Sequence, residues 1–249
     1  LWGSQFSHSS GALKKRSAHG PRREIGVAFG APMALDSDAA KVKQAVAEMS
    51  ITAWQQHVNS LPSLPQAWLT TARAGGSDTA IIESSGRKLN RTTLAVAVLC
   101  FSRIIKRLSH GRRVGILLPP GVGGTTANLA ALMAGKTIVN LNYSAPPAAI
   151  AAAIRSAGIT EVYSSSQFLR RLEQRGIELS DALSGCKVLE MEALRGGIPR
   201  HHLALAWLSL KALPARWLCA LHGADNDANQ PAAILFSSGS EGTPKGVTL

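Results

Sequence analysis

From residue 66 onward, short apolar runs alternate with stretches whose apolar positions recur every three to four residues, a rhythm that predicts strands alternating with helices. Strands are expected at 79–84, 88–90, 114–118, 137–141, 161–164, 187–191 and 232–236, with Gly86 turning the first into the second. Helices are expected at 92–108, 125–134, 146–157 and 167–175. Lys106 and Arg107 suit the C-terminus of the first, Gly135 closes the second, and Pro146 sits near the first turn of the third. Residues 119–124 read as a loop, and 203–221 as one long amphipathic segment. Strands alternating with helices imply a largely parallel sheet flanked by helices, the α/β class.

The first 60 residues have another texture. Residues 1–35 are rich in Gly, Ser and basic side chains, interrupted by an apolar run at 25–29 that predicts a strand ended by Gly30-Ala-Pro32. A helix is expected from Asp36, capped by Asp36 or Ser37, with Val42, Ala45, Val46 and Met49 on one face and Trp54 and Val58 extending it. Two prolines in 60–65 punctuate the chain, so the expected organisation is 1–60, a linker at 61–65, and an α/β domain at 66–249. The longest apolar run, 94–101, is far short of the ~20 residues that cross a bilayer. Segment 203–221 is interrupted by Lys211, Pro214 and Arg216, which predicts a surface or core helix instead of a span.

Composition narrows the class. The 249 residues are 45% hydrophobic and 17% charged, which excludes a disordered chain. Cys100, Cys186 and Cys219 lie too far apart for a disulfide framework or a zinc site, and fit a reducing compartment. Cys100 and Cys219 have apolar neighbours and read as buried packing residues; Trp207 and Trp217 read as core or interface residues. His201 and His202 are adjacent, unlike metal ligands spaced i, i+4, and read as solvated. The start at Leu1 inside a Gly/Ser/basic stretch and the end just behind a glycine-rich run lead us to expect an internal fragment of a longer protein.

One segment carries chemistry: Ile234-Leu-Phe-Ser-Ser-Gly-Ser-Glu-Gly-Thr-Pro-Lys-Gly-Val247. An apolar strand enters a loop in which glycines allow the backbone to approach an anion, hydroxyls add donors, and a lysine supplies positive charge for phosphate. It is not a Walker A loop, because glycine follows the lysine. Residues 238–246 resemble the phosphate-binding signature of the AMP-forming acyl-adenylating enzymes, which mostly carry Thr where this chain has Glu241. The Ser-Glu-Gly version resembles the acyl-ACP synthetase half of the bacterial bifunctional 2-acylglycerophosphoethanolamine acyltransferase/acyl-ACP synthetases. Arg113-Val-Gly-Ile-Leu-Leu-Pro-Pro120, Asn140-Leu-Asn-Tyr-Ser144 and Ser164-Ser-Ser-Gln-Phe-Leu169 support the resemblance in matching order, over roughly 66–249. Leu1-Trp-Gly-Ser-Gln-Phe-Ser7 and Arg22-Arg-Glu-Ile-Gly-Val-Ala-Phe-Gly-Ala-Pro-Met33 are similar to the end of a glycerolipid acyltransferase domain.

The resemblance implies ATP-dependent activation of a fatty acid to acyl-AMP with Mg²⁺, transfer to acyl carrier protein or coenzyme A, and acylation of a lysophospholipid. It assigns ATP phosphate binding to Ser237, Ser238, Gly239, Ser240, Glu241, Gly242, Thr243, Pro244, Lys245 and Gly246. The adenine- and ribose-binding elements, the C-terminal lysine and the acyltransferase His-x-x-x-x-Asp pair would lie outside these residues, so the piece alone is expected to be inactive. His222 and Asp227 have that spacing but stand in the wrong domain and read as a chance match. Two alternatives stay open: a free-standing long-chain acyl-CoA synthetase, and a catalytically silent membrane-binding module. The net charge, 27 − 15 = +12, comes without nucleic-acid signatures. A solvated basic surface accounts for it as well as attraction to anionic lipid and to an acidic carrier protein does; in the second reading 14–23 and 203–221 are the expected membrane contacts, and the resemblance implies the cytoplasmic face of a bacterial inner membrane.

Overall fold

A computed structural model describes residues 8–9, 12–13, 27–84, 86–224, 227, 230–237 and 245–249. The chain divides into two compact units, Leu1–Ser60 and Leu61–Leu249. In the first, β1 (His8–Ser9) pairs antiparallel with β2 (Ala12–Leu13), and α1 (Ala39–Ser60) follows. The strand expected at 25–29 does not form in its described part: residues 27–30 lack regular structure, and Val27 and Phe29 face solvent with no described strand to pair with. Ile25 and Gly26, like the basic residues at 14–23, lie outside the described residues. The helix starts later than expected, because Ser37 closes a turn onto the Ala34 carbonyl and Asp38 accepts the first helical amide, from Val42 (3.1 Å).

The second unit opens with α2 (Leu64–Ala74), which replaces the last two residues of the expected linker. Pro65 lies in its first turn, where a missing amide hydrogen costs no bond, so the prolines that read as punctuation begin a helix. Then come β3 (Thr79–Ile82), β4 (Lys88–Asn90), α3 (Arg91–Leu108), β5 (Arg113–Leu117), α4 (Val122–Met133), β6 (Thr137–Asn140), α5 (Pro147–Ala157) and β7 (Glu161–Ser164). The remainder is α6 (Ser166–Glu173), α7 (Ser180–Leu183), β8 (Lys187–Glu190), α8 (Met191–Gly196), α9 (Arg200–Ala212), α10 (Ala215–His222), β9 (Ala233–Ser237) and β10 (Lys245–Thr248). The long segment at 203–221 is thus two helices. Pro214 disfavours helical backbone in the residue before it, and Leu213 is extended (φ −98°, ψ 142°).

Six strands form one mixed sheet in the order β10-β9-β6-β5-β7-β8. All its pairings are parallel except β10 on β9. Strand alternation feeds two apolar layers: β5 sends Val114 and Ile116 to one face and Leu117 to the other. The first layer packs under α2, α3, α4, α9 and α10 through Leu69, Val98, Ala130, Leu210 and Leu218. The second packs under α5, α6 and α7 through Ile150, Ile154, Leu172 and Leu183. Asn90 caps α3 by accepting from the Thr93 amide (2.7 Å). Beyond the other end of α3, Lys136 Nζ donates to the carbonyls of Ser109 (2.8 Å) and Gly111 (2.7 Å). Among the described residues, no helix is long and apolar enough to cross a membrane.

Candidate functional site

Because β9 runs parallel to β6, it delivers Ser237 to the edge where the parallel strands end. The chain returns as β10, which places Lys245 opposite Ser237 and Gly246 opposite Phe236. Gly246 meets a steric demand: a Cβ there would lie 3.2 Å from both Ile234 Cγ2 and Phe236 Cε1. The exposed Lys245 therefore flanks the point where the segment expected to bind phosphate leaves and rejoins the sheet. Ser238, Gly239, Ser240, Glu241, Gly242, Thr243 and Pro244 lie outside the described residues.

On the same carboxyl edge, past β6, a cleft of about 780 Å³ lies between α2, β3, α3 and α4. Its polar end holds Thr125, Asn128 and Asn140. Asn128 Nδ2 donates to Asn140 Oδ1 (3.2 Å) and Asn140 Nδ2 donates to Asn128 Oδ1 (2.9 Å), so α4 and the end of β6 are cross-braced. Arg91 is its one charged lining residue among those described. Asp78 holds that guanidinium at 3.7 Å, and Arg91 also donates to the Thr71 carbonyl (3.3 Å). A cleft with amides, threonine hydroxyls and a cation, and no lining carboxylate among the described residues, suits an anionic or carbonyl-bearing ligand. Sequence reasoning singled out segment 237–246 and did not point to this cleft. The uncharged Asn140 closing an apolar run was its visible signal, while Asn128 meets it only through the fold.

A second crevice, about 900 Å³, opens where the strand order reverses between β5 and β7, the place where open parallel sheets commonly bind ligands. Val96, Phe101, Met191, Ile198 and Trp207 form apolar walls. Glu83 accepts from the Val122 amide (3.1 Å) at the start of α4. Ser165 donates to Glu192; burial pushes the Glu192 carboxyl up, but that bond and backbone amides hold it below the usual range.

His222 and Asp227 do not form a catalytic pair. His222 ends α10 and its ring is buried against Ser102, while Asp227 accepts from Gln230 (3.2 Å). Cys100 and Cys219 are buried, as their neighbours suggest, and burial pushes the Cys219 thiol up to about 11. Trp207 and Trp217 are half exposed, so neither is a core residue of this chain. His201 and His202 are exposed, stacked edge to face at 4.5 Å. No group of His, Cys, Asp and Glu among the described residues has the arrangement of a metal site.

The family model described as "AMP-binding enzyme" matches residues 69–249. The chain belongs to the AMP-binding enzyme family. The medium-chain fatty-acid–CoA ligase of Escherichia coli (strain K12) is 26% identical over 189 residues, covering 75% of this AMP-binding chain and 32% of the ligase. The hybrid PKS-NRPS synthetase iliA of Neonectria sp. (strain DH2) is 28% identical over 176 residues, covering 70% of this chain and 4% of the synthetase. The chain therefore spans a third or less of these curated relatives.

Solved structures share the fold. The N-terminal subdomain of Klebsiella oxytoca NpsA, in complex with 3-hydroxyanthranilyl-AMSN, superposes with a TM-score of 0.55 at 20% identity, covering 76% of this chain and 40% of that one. VinN in complex with 3-methylaspartate superposes with a TM-score of 0.54 at 18% identity, covering 75% and 47%. The α/β architecture with its mixed sheet is that of the N-terminal subdomain of adenylation domains.

Proposed function

We propose that the protein containing this chain activates a fatty acid by adenylation and passes the acyl group to a carrier thiol. The observation that carries this reading is the β9–β10 hairpin: in a chain matched by the AMP-binding family, it sets Ser237 and Lys245 at the carboxyl edge on either side of residues 238–244. In the reaction, the acid carboxylate attacks the α-phosphorus of ATP and pyrophosphate leaves, giving acyl-AMP. A thiolate then attacks the acyl carbon and AMP leaves. Lys245 supplies fixed positive charge to the β- and γ-phosphates as charge develops on the leaving pyrophosphate, and the loop hydroxyls and amides of 237–246 orient it. Mg²⁺, when bound, offsets further phosphate charge. Arg91 with Thr125, Asn128 and Asn140 lines a neighbouring cleft suited to a polar part of the substrates.

The finer reading is an acyl-ACP synthetase whose acyl group goes on to a lysophospholipid, with residues 1–60 as the tail of a glycerolipid acyltransferase domain, at the cytoplasmic face of a bacterial inner membrane. The Ser-Glu-Gly form of the loop and the basic balance of 27 Lys+Arg against 15 Asp+Glu support it. The name of the Escherichia coli relative favours coenzyme A as the rival acceptor. In the intact protein, Lys245→Ala is expected to slow fatty-acid-dependent ATP–pyrophosphate exchange by roughly 10²-fold. Exchange at the wild-type rate would overturn the role of Lys245. Thioester formation with purified acyl carrier protein against coenzyme A decides between the acceptors.

A further inference from the structure

Helix α9 buries Ala206 and Leu210, yet Leu203, Leu205, Trp207 and Leu208 are all exposed. At about 100° per residue, Leu208 stands opposite the buried pair. Leu205, three residues away, shares its side of the helix. On α10, Leu218, Cys219 and His222 are buried, while Trp217 and Leu221, four apart on one face, are exposed. The exposed side of α9 is therefore amphipathic: Leu205 and Leu208 stand among Arg200, His201, His202 and Lys211, the mix of apolar and basic side chains that suits an interface between water and an apolar phase.

Charge identifies the cover. From Ala193 to Ala224 the chain carries Arg195, Arg200, Lys211 and Arg216 and no aspartate or glutamate. Arg200, Lys211 and Arg216 are exposed. A protein layer over this surface must supply carboxylates to pair with these cations or leave them desolvated. An anionic bilayer offers phosphates at the depth of the cations and hydrocarbon beneath them for the leucines. Tryptophan also favours that interface. At 13 residues, α9 is about 20 Å long, too short to span a hydrocarbon core of about 30 Å, so a membrane would take it only in its plane.

We propose that α9 and α10 form a docking surface for an anionic phospholipid bilayer, with Leu205, Leu208, Trp217 and Leu221 entering the acyl boundary and Arg200, Lys211 and Arg216 lying among the phosphates. This deepens the membrane location proposed above and is tested apart from adenylation. The intact protein is sedimented with vesicles of pure phosphatidylcholine and with vesicles containing phosphatidylglycerol. Binding is expected to require phosphatidylglycerol and to weaken as salt rises. Arg200→Gln with Arg216→Gln should lower the partition coefficient roughly 30-fold, and Leu205→Gln with Leu208→Gln by more than about tenfold. The arginine pair keeps the test decisive if the leucine variant misfolds.

Wild-type binding in both double variants overturns the proposal, as does absence of binding to anionic vesicles. If the leucine variant melts earlier without vesicles and still binds them normally, the surface is covered by protein and the proposal falls. Lys245→Ala should bind vesicles as wild type does while losing exchange, so failure of adenylation and failure of docking are read separately.

Discussion

His222 has 2% of its surface exposed, and its Nδ1 is hydrogen-bonded to Ser102, whose hydroxyl donates to the Leu99 carbonyl (2.9 Å). With that hydroxyl so engaged, the imidazole donates to Ser102 in its neutral form. Burial first, then the charges of Arg103 and Lys106, push its pKa down from 6.5 to about 4. A base whose folded-state pKa is depressed binds fewer protons folded than unfolded, so its contribution is complete above pH 6.5 and is lost as pH falls from 6.5 towards 4. Between about pH 7 and pH 5 this single group should cost about 2 kcal/mol of stability. His222→Gln keeps a donor without a titrating ring. Urea midpoints at the two pH values should therefore lie closer together in the variant, and an equal pH response would show that other groups control acid sensitivity.

At the entry to α4 the backbone of the first turn nearly touches the loop before it. A Cβ on Gly124 would stand 2.6 Å from the Pro119 carbonyl oxygen, whereas one on Gly123 would meet nothing within 4 Å. Gly124→Ala should therefore destabilise the unit by about 1–3 kcal/mol through overpacking, and Gly123→Ala should be neutral or stabilising by up to about 1 kcal/mol. Paired thermal melts check this; equal shifts would mean the loop yields freely. Elements of this kind mark how far sequence is legible. The apolar strands β5, β6 and β7 and the long helix α3 carry periodicity strong enough to place them within a few residues. The short α7 and α8 have too few turns to show a period, and prolines conceal the start of α2 and the break between α9 and α10. The Gly/Ser/Lys run stands out in the sequence because its chemistry is contiguous. The braced pair Asn128 and Asn140 stays hidden because it exists only once α4 has crossed from β5 to β6.

Across the whole chain the two units differ in how they are held. Residues 61–249 have a sheet covered on both faces, with Leu69, Val98, Val114, Val139 and Leu218 wholly buried. Helix α1 is 22 residues long and has no fully buried residue, so among the described residues its support comes mainly from helix propensity and local pairs such as Gln44–Glu48 (2.9 Å). Local opening should then expose α1 amides at little free-energy cost, whereas amides of α3 and β5 open only with most of their unit. Hydrogen exchange followed by mass spectrometry on this chain should find α1 exchanging roughly 10³-fold faster than α3. The peptic peptides that report the contrast are those covering 39–60 and 91–108. Comparable protection in the two would mean that the apolar side chains Val42, Val46 and Trp54 are covered in solution, and that α1 draws its stability from tertiary contact instead of its own hydrogen bonds.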